Sequence, residues 1–122
     1  MPKLKVMTFY TNPDFAKAHP EAIRDFIEAL LLVYRDIAAN PKLVIENAPK
    51  YVPNIDAAVL PDMVKAYMDI AAWDINGGLP EEAVVYSLEV CQKAGSVPSS
   101  LKAADTYDLS YLNDVLKKIG RK

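Results

Sequence analysis

The sequence predicts a mainly α-helical fold with about five or six helices and one N-terminal β-strand. Apolar residues recur three and four positions apart through most of the chain, as they do on the buried face of a helix. The exception is Leu4–Thr11 (LKVMTFYT), where apolar residues occupy both alternating sets, a pattern typical of a strand buried on both faces. We therefore predict a single domain over residues 1–122, with a strand at about 4–11 and helices across 12–120.

The first helices are marked by prolines and a polar cap. Asn12 and Pro13 predict a short helix that runs to Ala18, and Pro20 predicts the start of a long second helix that ends at Asn40–Pro41. The second helix has one broad apolar face, formed by Ile23, Phe26, Ile27, Leu30, Leu31, Tyr34 and Ile37. Its charged residues, including Arg35, are expected to lie mostly away from that face.

The middle of the chain carries two less regular segments. A shorter helix is predicted within residues 41–52, broken by Pro49. The next helix restarts at Pro61 and is predicted to stop at Gly77–Gly78, because paired glycines adopt the backbone angles of a helix end at low cost. Its predicted apolar face comprises Val64, Tyr67, Met68, Ala71 and Ala72.

Two further helices have clear boundaries. One runs from Pro80 to Lys93 and is predicted to stop at Gly95. The last is predicted to be capped by Asp108 and ended by Gly120.

Composition excludes several classes of protein. The 122 residues are 52% hydrophobic and 25% charged, values typical of a globular domain. A net charge of −2 gives no electrostatic footprint for nucleic acid, and the longest apolar run, Ala29–Tyr34, is too short to span a membrane. One His19 and one Cys91 are too few for an ordinary zinc site, so we expect neither a metal nor a cofactor.

Tyr10, Thr11 and Asn12 are candidate ligand-binding residues because they lie where the predicted strand leads into a helix. Ligands of open α/β folds gather at such strand ends, where polar groups contact a bound anion or amide. The alternative interpretation is an ordinary helix cap formed by Asn12.

Trp73 and Asn76 form a second candidate, as a stacking platform and hydrogen-bond pair for a small planar ligand. The alternative is that Trp73 anchors a turn against the core and that the residues Asn76–Gly78 supply positive φ angles. No nucleophile accompanies His19 at a recognisable spacing, and Cys91 has the helical phase of a buried residue. These side chains predict no catalytic constellation, so we expect a protein that is not an enzyme.

Four stretches carry a resemblance to a known family. They are FYTNPDFAKAHPEAIRDFIEALLLVYRDIAANP, YVPNIDAAVLPDMVKAYMDI, NGGLPEEAVVYSLEVCQKAG and LKAADTYDLSYLNDVLKKIG. Their order and spacing resemble the C-terminal part of the periplasmic substrate-binding proteins of ABC importers, in the group related to aliphatic-sulfonate, nitrate and thiamine-pyrimidine binders. The resemblance covers about Tyr10–Gly120, which is nearly all of the chain.

The resemblance implies that the chain corresponds to the C-terminal part of one lobe of a two-lobed binding protein. It implies a non-enzymatic, solute-binding-protein-related domain for ABC-type uptake of a small organic or anionic solute, as an incomplete receptor, with the solute and an ABC permease as partners. It implies a periplasmic location, whereas MPKLKVMTFYTNPDF has no signal-peptide apolar region, which favours the cytoplasm for a stand-alone protein.

A lone strand would leave its backbone donors and acceptors unpaired. This predicts either a homodimer through the N-terminal strand or a strand that frays or packs on the helices. An alternative function is therefore a small helical interaction or oligomerisation module without solute binding. A third hypothesis, an enzyme of the pyrimidine-synthesising branch of the same fold, requires histidine- and cysteine-bearing motifs that the sequence does not show.

Overall fold

The computed structural model describes residues 8–122. Six α-helices lie within this range: α1 (Pro13–Ala18), α2 (Pro20–Ala39), α3 (Lys42–Tyr51), α4 (Leu60–Asp69), α5 (Glu81–Lys93) and α6 (Ser110–Ile119). Two short 3-10 turns, Ala57–Val59 and Ala103–Asp105, precede α4 and α6. The mainly helical character and the number of helices agree with the sequence prediction.

The predicted N-terminal strand is wrong for the part of it that the structure describes. Residues 8–11 form no strand, residues 4–7 lie outside the described residues, and no β-strand occurs within 8–122. The ring of Phe9 instead meets Phe26 of α2 edge-on, with centroids 5.1 Å apart. A strand needs a neighbouring strand for its backbone groups, and the described chain offers none. The homodimer that the sequence predicts through this strand therefore has no described strand through which to form.

Side-chain oxygens accept backbone hydrogen bonds near the start of two helices. The Asp14 N–H donates to Asn12 Oδ1 over 2.7 Å at the start of α1. The Ser110 N–H donates to Asp108 Oδ1 over 2.7 Å at the start of α6. Hydrogen bonds from Ser110, that of its backbone first, hold the pKa of the Asp108 carboxyl below its usual range. The Asn12 cap is therefore confirmed, whereas the N-cap position of α6 belongs to Leu109, and Asp108 lies one residue before it.

The helix ends agree only in part. Gly95 and Gly120 follow α5 and α6 with φ angles of 72° and 75°, as predicted. However, α4 ends at Asp69 rather than at Gly77–Gly78, and Ala71 adopts a φ of 49°. The Ala72 N–H donates to the Tyr67 carbonyl over 2.9 Å, which closes the helix despite the cost of a left-handed alanine.

Pro49 does not break α3, contrary to the prediction. It lies in the last turn of Lys42–Tyr51, and the Val52 N–H still donates to the Ala48 carbonyl over 2.8 Å. A proline this close to a helix end removes one intrahelical hydrogen bond without stopping the remaining turn.

The main core lies between α2 and α6. Leu31 of α2 is 1% exposed and packs with Val115 and Leu116 of α6, which are also buried. Ile27, Leu112 and Ile119 complete this cluster. Phe26, which the sequence predicts on the buried face of α2, is 48% exposed, because it lies at the edge of that face.

Ion pairs join the same two helices at their exposed margin. Arg24 contacts Asp114 over 3.2 Å, and Lys118 contacts Glu28 over 2.7 Å. Glu28 raises the pKa of Lys118, first through the hydrogen bond and then through its charge. Exposed pairs of this kind contribute little to stability, so the apolar cluster supplies most of the attachment of α6.

Arg35 of α2 is buried beside the C-terminal end of α6, contrary to the expectation that it faces away from the core. It is 9% exposed, and its guanidinium donates to the carbonyls of Ile75 (3.0 Å), Ile119 (3.4 Å) and Gly120 (2.6 Å). The last carbonyls of a helix have no partner within it, and a helix C-terminus attracts cations. Arg35 therefore joins α2, the loop after α4 and the end of α6.

The described helices do not include a membrane-spanning candidate. None of those within residues 8–122 combines the length and the apolar character that crossing a bilayer requires.

Candidate interaction surface

The first group of predicted ligand-binding residues lies on the surface before α1. Tyr10 and Thr11 are exposed, and the side chain of Asn12 accepts the capping hydrogen bond from Asp14. Within residues 8–122, no hydrogen bond or ring contact joins this group to Trp73 or Asn76. The structure therefore does not assemble the candidates into one site, and the cap accounts for Asn12.

Asn76 fastens the C-terminal end of the chain. Its Nδ2 donates to the Lys122 carbonyl over 2.6 Å, and its Oδ1 accepts from the Lys122 N–H over 2.9 Å. Its backbone N–H donates to Asp74 Oδ1 over 2.9 Å. Both ends of the amide are thus engaged with the chain's own backbone, which accounts for Asn76 without a ligand.

Gly77 follows Asn76 and allows this turn to pack closely against α2 and α6. Its φ angle is 62°, in the left-handed region that favours glycine. A Cβ at this position would lie 3.1 Å from both Leu31 Cδ2 and Leu112 Cδ1. The turn that carries Asn76 is therefore held against the main core.

Trp73 lies in the loop after α4 and contacts the surface of that helix. It is half-buried, and its ring meets Tyr67 edge-on with centroids 5.4 Å apart and an interplanar angle of 70°. Aromatic pairs of this geometry add about 1 kcal/mol beyond the area they bury. The pair fixes the loop after α4 against the helix, and Tyr67 itself stays 39% exposed.

The solvent side of α4, together with the residues that directly precede and follow the helix, is an apolar strip, which we call the α4 stripe. Its members are Val59, Met63, Ala66, Tyr67 and Ile70. Ile70 is 72% exposed and Val59 49% exposed, whereas Met63 is half-buried. Residues three and four apart share one side of a helix, so these side chains lie beside one another.

The buried side of α4 is distinct from the stripe. Leu60 and Val64 are buried, and α4 contacts α3. An amphipathic helix normally turns its apolar side to the core, whereas α4 has more apolar surface than the described fold covers. The sequence identifies Tyr67 as apolar-facing, but it does not show that Val59, Met63 and Ile70 lie on a second side.

Charges are confined to the remaining side of α4. Lys65 Nζ donates to Asp69 Oδ2 over 2.6 Å, and Asp62 lies near this pair in the helical phase. The hydrogen bond with Asp69, followed by its charge, raises the pKa of Lys65. The stripe itself therefore carries no charged side chain.

Two open grooves lie elsewhere on the surface. One, of about 430 Å³, is lined by Glu81, Glu82, Val85, Tyr86 and Glu89 of α5. The other, of about 440 Å³, is lined by Asn113, Leu116, Lys117 and Arg121. Each lies along a single helix or its end. Among residues 8–122, no group of three or more histidine, cysteine or acidic side chains is placed to hold a metal ion.

Comparison with protein-family models, curated proteins and solved structures finds no significant match to this chain. The resemblance to substrate-binding proteins, and the solute, permease and location that it implies, therefore stay predictions from the sequence.

Proposed function

We propose that the chain is a small helical oligomerisation module that acts by burying exposed apolar side chains against another protein chain. The α4 stripe is the part of the described surface that fits this role best. It is apolar and uncharged, and its member Tyr67 forms an aromatic pair with Trp73. Aromatic side chains beside aliphatic ones are typical of the energetically important centre of a protein interface.

The accessible surface of the chain carries the proposal. It measures 8887 Å², whereas a folded monomer of 13.5 kDa exposes about 6,500 Å². Residues 1–7 add at most about 1,200 Å², even when counted as a fully extended chain. The remaining excess is about 1,200 Å², so the chain exposes more surface than a typical folded monomer of its mass.

The proposal is tested by sedimentation equilibrium of the purified chain from low micromolar to submillimolar concentration. We expect the weight-average mass to rise with concentration from 13.5 kDa toward twice that value. The expected reason is the burial of apolar surface in a complex between copies. A mass that stays at 13.5 kDa over the whole range would contradict oligomerisation.

A further inference from the structure

We infer that the α4 stripe binds the α4 stripe of a second copy, with the two helices antiparallel about a two-fold axis. The inference rests on the proposed function and specifies its partner and its interface. Three features of the described residues lead to it: the spacing of the stripe, the distribution of charge around it and the surface available for burial.

The spacing of the stripe reads the same in both directions. Val59, Met63, Ala66 and Ile70 are separated by four, three and four residues. A two-fold interface requires a surface that is complementary to its own reversed copy. In the antiparallel arrangement, Val59 faces Ile70 of the second copy, and Met63 faces its Ala66.

The sizes of these side chains fit that arrangement. The small Ala66 lies opposite the long, flexible Met63, so the two helices can approach closely at their centre. Two such contacts occur, one on each side of the two-fold axis, with a Val59–Ile70 contact at each end. The Tyr67–Trp73 pairs then border the contact and exclude water from it.

Charge distinguishes α4 from the exposed side of α2. Val33 on α2 is 51% exposed and Leu32 is also exposed, but Asp25 and Asp36 lie between them in the helical phase. Two copies joined through that side would bring carboxylates together, which is unfavourable. A contact through the α4 stripe brings no like charges together, since the charged residues of α4 lie on another side of the helix.

The chain has exposed surface that a second copy can cover. The chain exposes about 1,200 Å² more than a typical monomer of its mass, and Val59, Tyr67 and Ile70 of the stripe are among its exposed large hydrophobic residues. The stripe and the aromatic pair next to it supply an apolar centre for such an interface.

The inference is tested with Ile70→Lys and the matched variant Val33→Lys, each compared with the unchanged chain by sedimentation equilibrium. Both positions are exposed aliphatic residues, Val33 on α2 and Ile70 directly after α4, and a lysine at the C-terminus of α4 is compatible with the helix dipole. We expect Ile70→Lys to weaken the dimer at least about tenfold and Val33→Lys to leave its dissociation constant unchanged. Far-UV circular dichroism verifies the helix content, and Ala66→Lys replaces Ile70→Lys if that variant loses helicity.

The outcomes separate the inference from the proposed function. An associating chain whose dimer survives Ile70→Lys, or is disrupted equally by both variants, overturns the α4 interface and leaves oligomerisation standing. Disruption by Val33→Lys alone moves the interface to α2 and also overturns the inference. A chain that is monomeric at every concentration contradicts both.

Discussion

Replacing Arg35 with methionine is expected to lower the free energy of unfolding by about 3 kcal/mol, as measured by urea denaturation. Arg35 donates to three backbone carbonyls, two of them at the end of α6. Methionine keeps much of the apolar stem but removes three partly buried hydrogen bonds from a charged donor. We expect the end of α6 and the loop at Ile75 to separate together.

Arg24→Met is the matched control for this result. Arg24 lies on the same helix, but its ion pairs with Glu21 and Asp114 are partly exposed. Its loss should cost no more than about 1 kcal/mol. An equal effect of the two substitutions would contradict the structural role assigned to Arg35.

Replacing Gly77 with alanine is expected to lower the free energy of unfolding by about 2–3 kcal/mol. One part of this cost arises because the φ of 62° is unfavourable for alanine. The other arises because the new Cβ lies 3.1 Å from side-chain carbons of Leu31 and Leu112, which belong to the main core. Urea denaturation measures the sum of the two.

Gly95→Ala separates the two parts. Gly95 has a similar φ of 72°, and a Cβ there has no atom within 4 Å. We therefore expect this variant to lose only the conformational part, about 1 kcal/mol. If Gly77→Ala costs no more than Gly95→Ala, the turn is not packed against Leu31 and Leu112 as described.

Features that depend on neighbouring residues could be predicted from the sequence. Asn12 caps α1, Asp108 accepts a backbone hydrogen bond just before α6, and Gly95 follows α5, because each acts on backbone groups within a few positions. The predicted strand failed for the opposite reason. A segment that is apolar in both alternating sets fits a buried strand, but it does not supply the second strand that the sheet requires.

Gly77 and Arg35 show why distant contacts escaped prediction. Gly77 has the sequence pattern of a helix end, yet it allows its turn to pack against Leu31 of α2 and Leu112 of α6. Arg35 has the signature of an exposed helix residue, and its burial depends on carbonyls at Ile119 and Gly120. Neither arrangement is visible until the chain is folded.

The candidate surface was predictable only in part. Trp73 was identified, and its interpretation as the anchor of a turn agrees with its contact with Tyr67. The stripe from Val59 to Ile70 could not be separated from a buried face, because helical periodicity shows which residues are neighbours but not which side is covered. The sequence also indicates Asn76 as a polar candidate, but the partner of its side chain, the backbone of Lys122, lies 46 residues further along the sequence.

The arrangement of the two copies is tested most directly by disulfide formation between Val59→Cys and Ile70→Cys chains that also carry Cys91→Ala. In the antiparallel dimer, residue 59 of one copy faces residue 70 of the other. Like positions lie about 16 Å apart along the helices, too far for a disulfide. We predict that the mixed chains form a covalent dimer rapidly under mild oxidation and that each variant alone does not. Faster cross-linking of either variant with itself would contradict the antiparallel α4 interface.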